Sequence, residues 1–364
     1  MESPLKHFAK LTDPRVDRTK EHLLQEILFI TIAAVVCGAE TWNDIEFYGK
    51  TKRLWLETFL TLPGGIPSHD TFNRVFSALD PEELETCFMA WVRDVAQLSE
   101  GEVVSIDGKA IRGSRQAGKK AMVHMVSAWA NANNLVLAQR KVSDKSNEIT
   151  AIPKLLQALE LTGCIVTIDA MGCQKTIARK ITDKGAHYIF GLKENQGELL
   201  ENVRDSFRLL PSKSVSRQID GAHGRVETRV CAVIEDLSMV EKAGQWTALR
   251  SLVRVQSERF MKASGSVEHE TRYYISSLTA DAELLNRSIR QHWGIENSLH
   301  WVLDVAFHED QSRKRAGNAA QTFSLINRIA LNLLKNDKII KLGVRGKRLA
   351  AGWDNNYVVN LLRN

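Results

Sequence analysis

A chain of 364 residues is too long for one ordinary small domain, so two or three units around at least one sizeable core are expected. Hydrophobic content of 44% beside 25% charged residues excludes general disorder, and no window holds the roughly 18 consecutive apolar residues that a membrane span needs. Five scattered cysteines without a C-x-x-C pair exclude a disulfide framework and a zinc knuckle, and a net charge of +6 is a mild basic bias compatible with a polyanionic partner.

Residues 1 to about 100 read as helices. The apolar run ILFITIAAVVC (27–37) is a buried helix, followed by WNDIEFYGKTKRLWLETFL, SHDTFNRVFSALD and PEELETCFMAWVRDVAQL. Ser68 or Asp70 caps the third of these, Pro81 sits in the first turn of the fourth, and PGG at 63–65 breaks the chain between. The short helix opening with SHDTFNR has Asn73 and Arg74 placed to meet bases or phosphates, although a plain helical bundle accounts for the same pattern.

From residue 101 the period changes. VVSID (103–107) is a strand, and MVHMVSAWA and LVLAQRKV form a hairpin around Asn131–Asn134. Then come NEITAIPKLLQALELTG as helix, CIVTID as buried strand, QKTIARKITDKG as helix and HYIFGL as strand. This order predicts a mixed α/β sheet with helices on its faces, the order of a ribonuclease-H-like core. The chain turns β-rich over about 215–278, as an insertion within that core, and helix returns with AELLNRSIRQHWGIENSLHWVLDV. SRKRAGN (312–318) and KIIKLGVRGKR (338–348) are the densest basic stretches, with the apolar helix TFSLINRIALNLL between them.

VVSID and CIVTID each deliver one aspartate at a strand end, and on neighbouring strands Asp107 and Asp169 converge. A strand-end aspartate is also an ordinary turn former, because it bonds its own backbone two residues on. Two carboxylates brought together repel unless a proton or a hard cation lies between them. In RQHWGIENSLHWVLD, His292, Glu296, His300 and Asp304 recur every four residues along one helical face, among Trp293, Ile295, Leu299, Trp301 and Leu303. Glu296 is the candidate third acid. A zinc reading of His292, Glu296 and His300 lacks the H-E-x-x-H spacing and any cysteine. GSRQAGKK (113–120) has Lys120 where a P-loop needs Ser or Thr, so Lys109, Arg112, Arg115, Lys119 and Lys120 read instead as a basic loop for phosphate backbone, or as a solvated one. Lys193, Asn195 and Gln196 in LKENQGE add polar groups on the same rim.

SIDGKAIRGS, VTIDAMGCQ, HYIFGLKENQ and HWGIENSLHWVLDVAFHEDQSRKR, with IPSHDTFNRVFSALDP before them, resemble DDE transposases of bacterial insertion sequences, most of all the H-repeat-associated group. The resemblance implies that Asp107, Asp169 and Glu296 are the acidic triad, holding two Mg²⁺ ions for which Mn²⁺ substitutes. It divides the chain into a helical N-terminal DNA-binding domain (1–100), the first part of the catalytic core (101–197), a β-rich insertion (198–280) and a final part (281–364) with the catalytic helix and a basic helical region. The partner implied is double-stranded DNA, at element ends and target, bound by a homo-oligomer in the cytoplasm at the nucleoid, with no membrane. The related signature Y-x-x-R-x-x-x-E-x-x-x-x-x-x-K is replaced outside its glutamate by Ile289, His292 and Leu303, although His292 and His300 are still placed to meet DNA. A DNA-binding protein with an inactive or repurposed core, and a nuclease that cuts without joining, are the competing readings.

Overall fold

In the computed structural model, which describes residues 4–115, 122–143, 147–222 and 224–363, six helices precede the sheet: α1 Pro4–Phe8, α2 Leu24–Val36, α3 Trp42–Thr51, α4 Arg53–Leu56, α5 His69–Ala78 and α6 Pro81–Val95. Their starts follow from capping chemistry. Thr41 and Asp44 form a reciprocal capping box on α3, Ser68 Oγ accepts the Thr71 amide on α5, and Asp80 accepts the Glu82 amide beside Pro81 on α6. All of the 27–37 run but its last residue, Cys37, lies in α2, buried on nearly every side.

The strands follow as β1 Val103–Ile111, β2 Val123–Ala130 and β3 Leu135–Lys141. Helix α7 (Glu148–Ala158), β4 (Ile165–Ile168), α8 (Lys175–Thr182) and β5 (His187–Leu192) come next, then α9 (Gly197–Leu209). A meander, β6 Ser214–Ala222, β7 Arg225–Ile234, β8 Ser251–Met261 and β9 Val267–Ser276, completes one nine-stranded sheet in the order β3-β2-β1-β4-β5-β9-β8-β7-β6 among the described residues. β1, β4 and β5 run parallel, and every other pairing is antiparallel. The β-rich segment thus opens with a helix and then extends the sheet from β5.

The remaining helices are α10 Ala282–His292, α11 Trp301–Ala306, α12 Ala319–Asn336, α13 Val344–Trp353 and α14 Asn355–Arg363, with a π-helical turn at Glu296–His300. The two faces of the sheet bury different partners. Val103, Ile165, Ile189, Val233 and Val253 pack under Leu285 and Ile289 of α10. On the opposite face Val104, Ile106, Val126 and Val166 belong to one apolar cluster that also takes in α7, α8, α12 and the helices before residue 100. Edge strand β3 is covered by α12, whose Asn332 side chain accepts from Val136 N and donates to Val136 O, both at 2.9 Å. The basic tail turns inward: Arg348 donates to Val35 O at the end of α2, and Lys347 to Leu334 O and Asp337 O. No described helix is long and apolar enough to cross a membrane.

Candidate active site

The parallel pairing of β1 with β4 stops at Ile106↔Ile168, while its antiparallel pairing with β2 continues to Ile111. Asp107 therefore sits inside β1, not at its end as VVSID suggested, at the level where the neighbouring strand gives out. Because side chains alternate, Val103, Ser105 and Asp107 share the α10 face with Ile165, Thr167 and Asp169. The register Ser105↔Thr167 continues to Asp107 and Asp169, one step beyond the last ladder pair. Asp169 also does what a turn former does, accepting the Met171 amide at 3.1 Å at the start of a 3₁₀ turn.

Glu296 comes from above. The predicted continuous helix breaks here: α10 ends at His292 and the π turn at Glu296–His300 leads into α11, so the four-residue stripe does not run unbroken. Gly294 allows the approach, since a Cβ there would lie 2.4 Å from Asn131 Oδ1. A polar chain ties this junction to the sheet, from Asn131 Nδ2 to Ser105 Oγ at 2.9 Å, Thr167 Oγ1 to Ser105 Oγ at 3.2 Å, and Thr167 Oγ1 with His292 Nδ1 at 3.0 Å.

Ligand atoms of Asp107, Glu296 and His300 lie within 4.8 Å of one another. His300 Nδ1 is 3.0 Å from Glu296 Oε2 and 3.6 Å from Asp107 Oδ2. His300 is buried, with Nε2 lacking a hydrogen-bond partner among the described residues, so the expected DNA contact is replaced by a position between two acids. Burial pushes Asp107 up to about 6, and Asp169 and Glu148 add to the rise against the pull of His300 and the Gly108 amide. Burial and then Glu148 also raise Asp169, against the Met171 amide and Lys193. The His300 hydrogen bond keeps Glu296 below its ordinary value. His292 lines a cleft with Thr167, Asp169 and Lys193, is lowered to about 4 chiefly by burial and therefore neutral, and is turned to Thr167 instead of joining a zinc set.

Glu148 escaped the sequence reading. It opens α7 on the far face of the sheet, 2.8 Å from His124 Nε2, and a Cβ on Gly108 would lie 2.1 Å from its Oε1. The signals were an acid in the first turn of the helix after the hairpin and a glycine directly after Asp107.

The expected basic loop is divided. Lys109 is buried at 8% exposure, hydrogen-bonded to Asp310 at 2.8 Å and ion-paired with Asp304 at 2.7 Å and Glu309 at 3.6 Å, which leaves no face for a phosphate. Burial opposes its charge, but Glu309, Asp304 and Asp310 outweigh it and raise its pKa. Arg112 and Arg115 are exposed, Arg112 lying 3.3 Å from Asp310, and Lys119 and Lys120 fall outside the described residues. Lys193 is exposed on the cleft rim by Asp169. Asn195 and Gln196 are used within the protein, donating to Ala170 O at 2.7 Å and Cys173 O at 2.9 Å and so holding the turn after Asp169. Arg74 is exposed on α5, away from this cleft's lining, and reaches Thr71 Oγ1 at 3.3 Å. Of the 312–318 stretch, Lys314 is buried against Phe323 and Trp42.

A model of the transposase DDE domain matches residues 98–333, and one described as DDE_Tnp_1-associated matches residues 5–92. The chain is 41% identical to "H repeat-associated putative transposase YhhI" of Escherichia coli strain K12, over 98% of this chain and 97% of that one. It is 42% identical to "Putative transposase YncI" of Escherichia coli O157:H7, over 100% and 95% of the two chains. A solved piggyBac transposase synaptic complex with hairpin DNA is similar at TM-score 0.48 and 11% identity, over 98% of this chain and 76% of that one, a likeness too slight to argue from. With two matching models in sequence and full-length relatives of the H-repeat-associated kind, the chain belongs to the DDE transposase family.

Proposed function

We propose that the chain cuts and joins DNA strands with a divalent-cation centre held by Asp107, Asp169 and Glu296, on a ribonuclease-H-like core. The observation that carries this reading is the meeting of Asp107 and Glu296, 189 positions apart in sequence (296 − 107), within 4.8 Å. Burial of two adjacent aspartates that repel each other, with Glu148 behind them, supports a cation there, since hard carboxylate oxygens suit Mg²⁺ or Mn²⁺. Such cations supply a water acidic enough to attack phosphorus and charge neutralisation at the leaving oxygen.

The chain's own groups orient that chemistry. His300 holds Glu296, the Thr167–His292 contact fixes the end of α10, and Asn195 braces the turn carrying Asp169. Lys193, Arg112 and Arg115 stand where backbone phosphates pass, with Arg74 as a further contact on the helical region that reads the element's ends. In hydrolysis an O–P bond forms from water as the P–O3′ bond breaks; in joining, the freed 3′-hydroxyl makes the new bond and a target 3′ oxygen leaves. Two ends must be held together, which calls for a homo-oligomer on DNA. A repurposed DNA-binding core is the second reading, favoured by the replacement of the signature Tyr, Arg and Lys by Ile289, His292 and Leu303, of which Ile289 and Leu303 are buried.

Labelled end DNA incubated with Mg²⁺ or Mn²⁺ and scored for nicks and joined products separates these readings. Both products are expected from the native chain and neither from Asp107→Ala, Asp169→Ala or Glu296→Ala. Nicking retained by Asp107→Ala would rule out its role as a ligand, and nicks without joining would leave a nuclease.

A further inference from the structure

A second charged concavity lies on the strands of the β-rich insertion. RVETRVCAVI alternates at period two, so Arg225, Glu227 and Arg229 stand on one face of β7. The register continues that face, with Glu227 opposite Arg259, Arg229 opposite Ser257, and Val255 opposite Arg272. Arg290 of α10, then Trp293 and Asn297 beyond its end, flank these residues and with them line a half-open cavity of about 230 Å³.

Five guanidinium groups line this cavity against two carboxylates. Both acids are already shared. Glu227 meets Arg290 at 3.0 Å and Arg259 at 3.2 Å, and Glu270 meets Arg272 at 2.6 Å and Arg259 at 3.3 Å. Arg229 is only 4% exposed, and among the described residues its buried Nη1 has no hydrogen-bond partner. Burial and then the nearby Arg290 hold its pKa below the ordinary arginine value. A donor buried without an acceptor bears its full desolvation cost, which a neutral residue would avoid. An anion entering the cavity offsets that cost.

We propose that this cavity is a phosphate subsite for one phosphodiester of the DNA strand engaged at the acid cluster, with Arg229 as the buried donor. Its position selects a strand over a free anion, because Glu270, Arg272, Tyr274 and Trp293 also line the cleft that holds Asp169, Thr167, His292 and Lys193. Trp293, 40% exposed with the Arg272 guanidinium 4.4 Å from its ring centroid, stands at the junction of the two. The inference rests on the reading of that cleft as the DNA-cutting site.

The test measures binding of the full chain carrying Asp107→Ala to a labelled duplex taken from the DNA flanking its own reading frame. Single phosphates are replaced in turn by neutral methylphosphonates. At one position the replacement is expected to weaken binding roughly tenfold, and to cost nothing further once Arg229→Gln is present. Arg229→Gln without DNA is expected to unfold at the same or a higher temperature, since it removes an uncompensated buried charge. Should that variant not be recovered folded, the less buried Arg225→Gln is scanned in the same way. Losses that simply add at every position overturn the subsite. The outcome is separable from the cutting assay, for uncoupled phosphates with an Asp107→Ala that still cannot cut sink the subsite alone, whereas cutting by Asp107→Ala sinks the active-site reading alone.

Discussion

Asp107 and Lys109 leave the same face of β1 two residues apart, yet they enter clusters built on opposite rules. Around Lys109 the charges match: Asp304, Glu309 and Asp310 are answered by Lys109, Arg328 and Arg112, and Arg328 Nη1 bonds the buried Glu309 at 2.5 Å. Around Asp107 they do not. Asp107 and Glu296 meet at His300, Asp169 and Glu148 add their charge to that of Asp107, and besides Lys193 near Asp169 the close partners are the imidazoles of His300 and His124. A closed charge set holds the fold together, and an open one marks where a ligand is needed. The difference also explains why Lys109, promising as a DNA contact in sequence, is a structural cation.

The contrast can be broken most sharply at Asp107. Asp107→Ala is expected to lower single-turnover nicking by roughly a thousandfold or more while DNA affinity measured by anisotropy stays unchanged. A comparable fall in affinity would make Asp107 a binding residue instead. On the closed side, Arg328→Met strands Glu309 in the core and is expected to cost about 3–5 kcal/mol in urea unfolding, and adding Glu309→Leu should recover much of that. A cost near zero would end the claim that this cluster holds α12 to the segment after α11.

The open cluster has a pH signature without divalent cations. Burial pushes the Asp107 carboxyl up to about 6 in the fold, from an ordinary value of 3.8. A raised carboxyl pKa contributes stability that is fully present below the unfolded value and lost as pH rises through the folded one. Asp107→Asn should therefore match the native chain near pH 4 and exceed it by up to about 3 kcal/mol at pH 7, taking about 1.4 kcal/mol per unit. Added Mg²⁺ should narrow that gap, and a gap that does not vary with pH refutes the assignment. The smallest effect is expected from Gly108→Ala, whose Cβ overlaps Glu148 Oε1. It should cost about 1–3 kcal/mol in stability and slow nicking by displacing the Glu148–His124 pair. Unchanged nicking would remove Glu148 from the site's surroundings.

Periodicity and turn chemistry, which act over a few residues, made much legible. The helices after Thr41, Ser68 and Asp80, the hairpin at 131–134 and the strands ending near Asp169 and Leu192 could all be read directly. Asp107 and Asp169 also stand out, because a carboxylate following a β-branched run is unusual enough to notice. The π turn at Glu296 was not legible, since a single extra residue per turn leaves the apolar pattern around Trp293, Ile295, Leu299 and Leu303 nearly intact.

What the sequence alone determined is the local alphabet: which segments are helix or strand, and which carboxylates and cations are available. The tertiary structure decided their partners. Lys109, Asn195 and His300 look free in one dimension and are occupied in three, while Arg229 looks ordinary and is left buried with an unanswered donor. Burial and pairing depend on residues a hundred or more positions away, such as Asp310 for Lys109, and the free energy of a buried charge is set by those neighbours instead of its own chemistry.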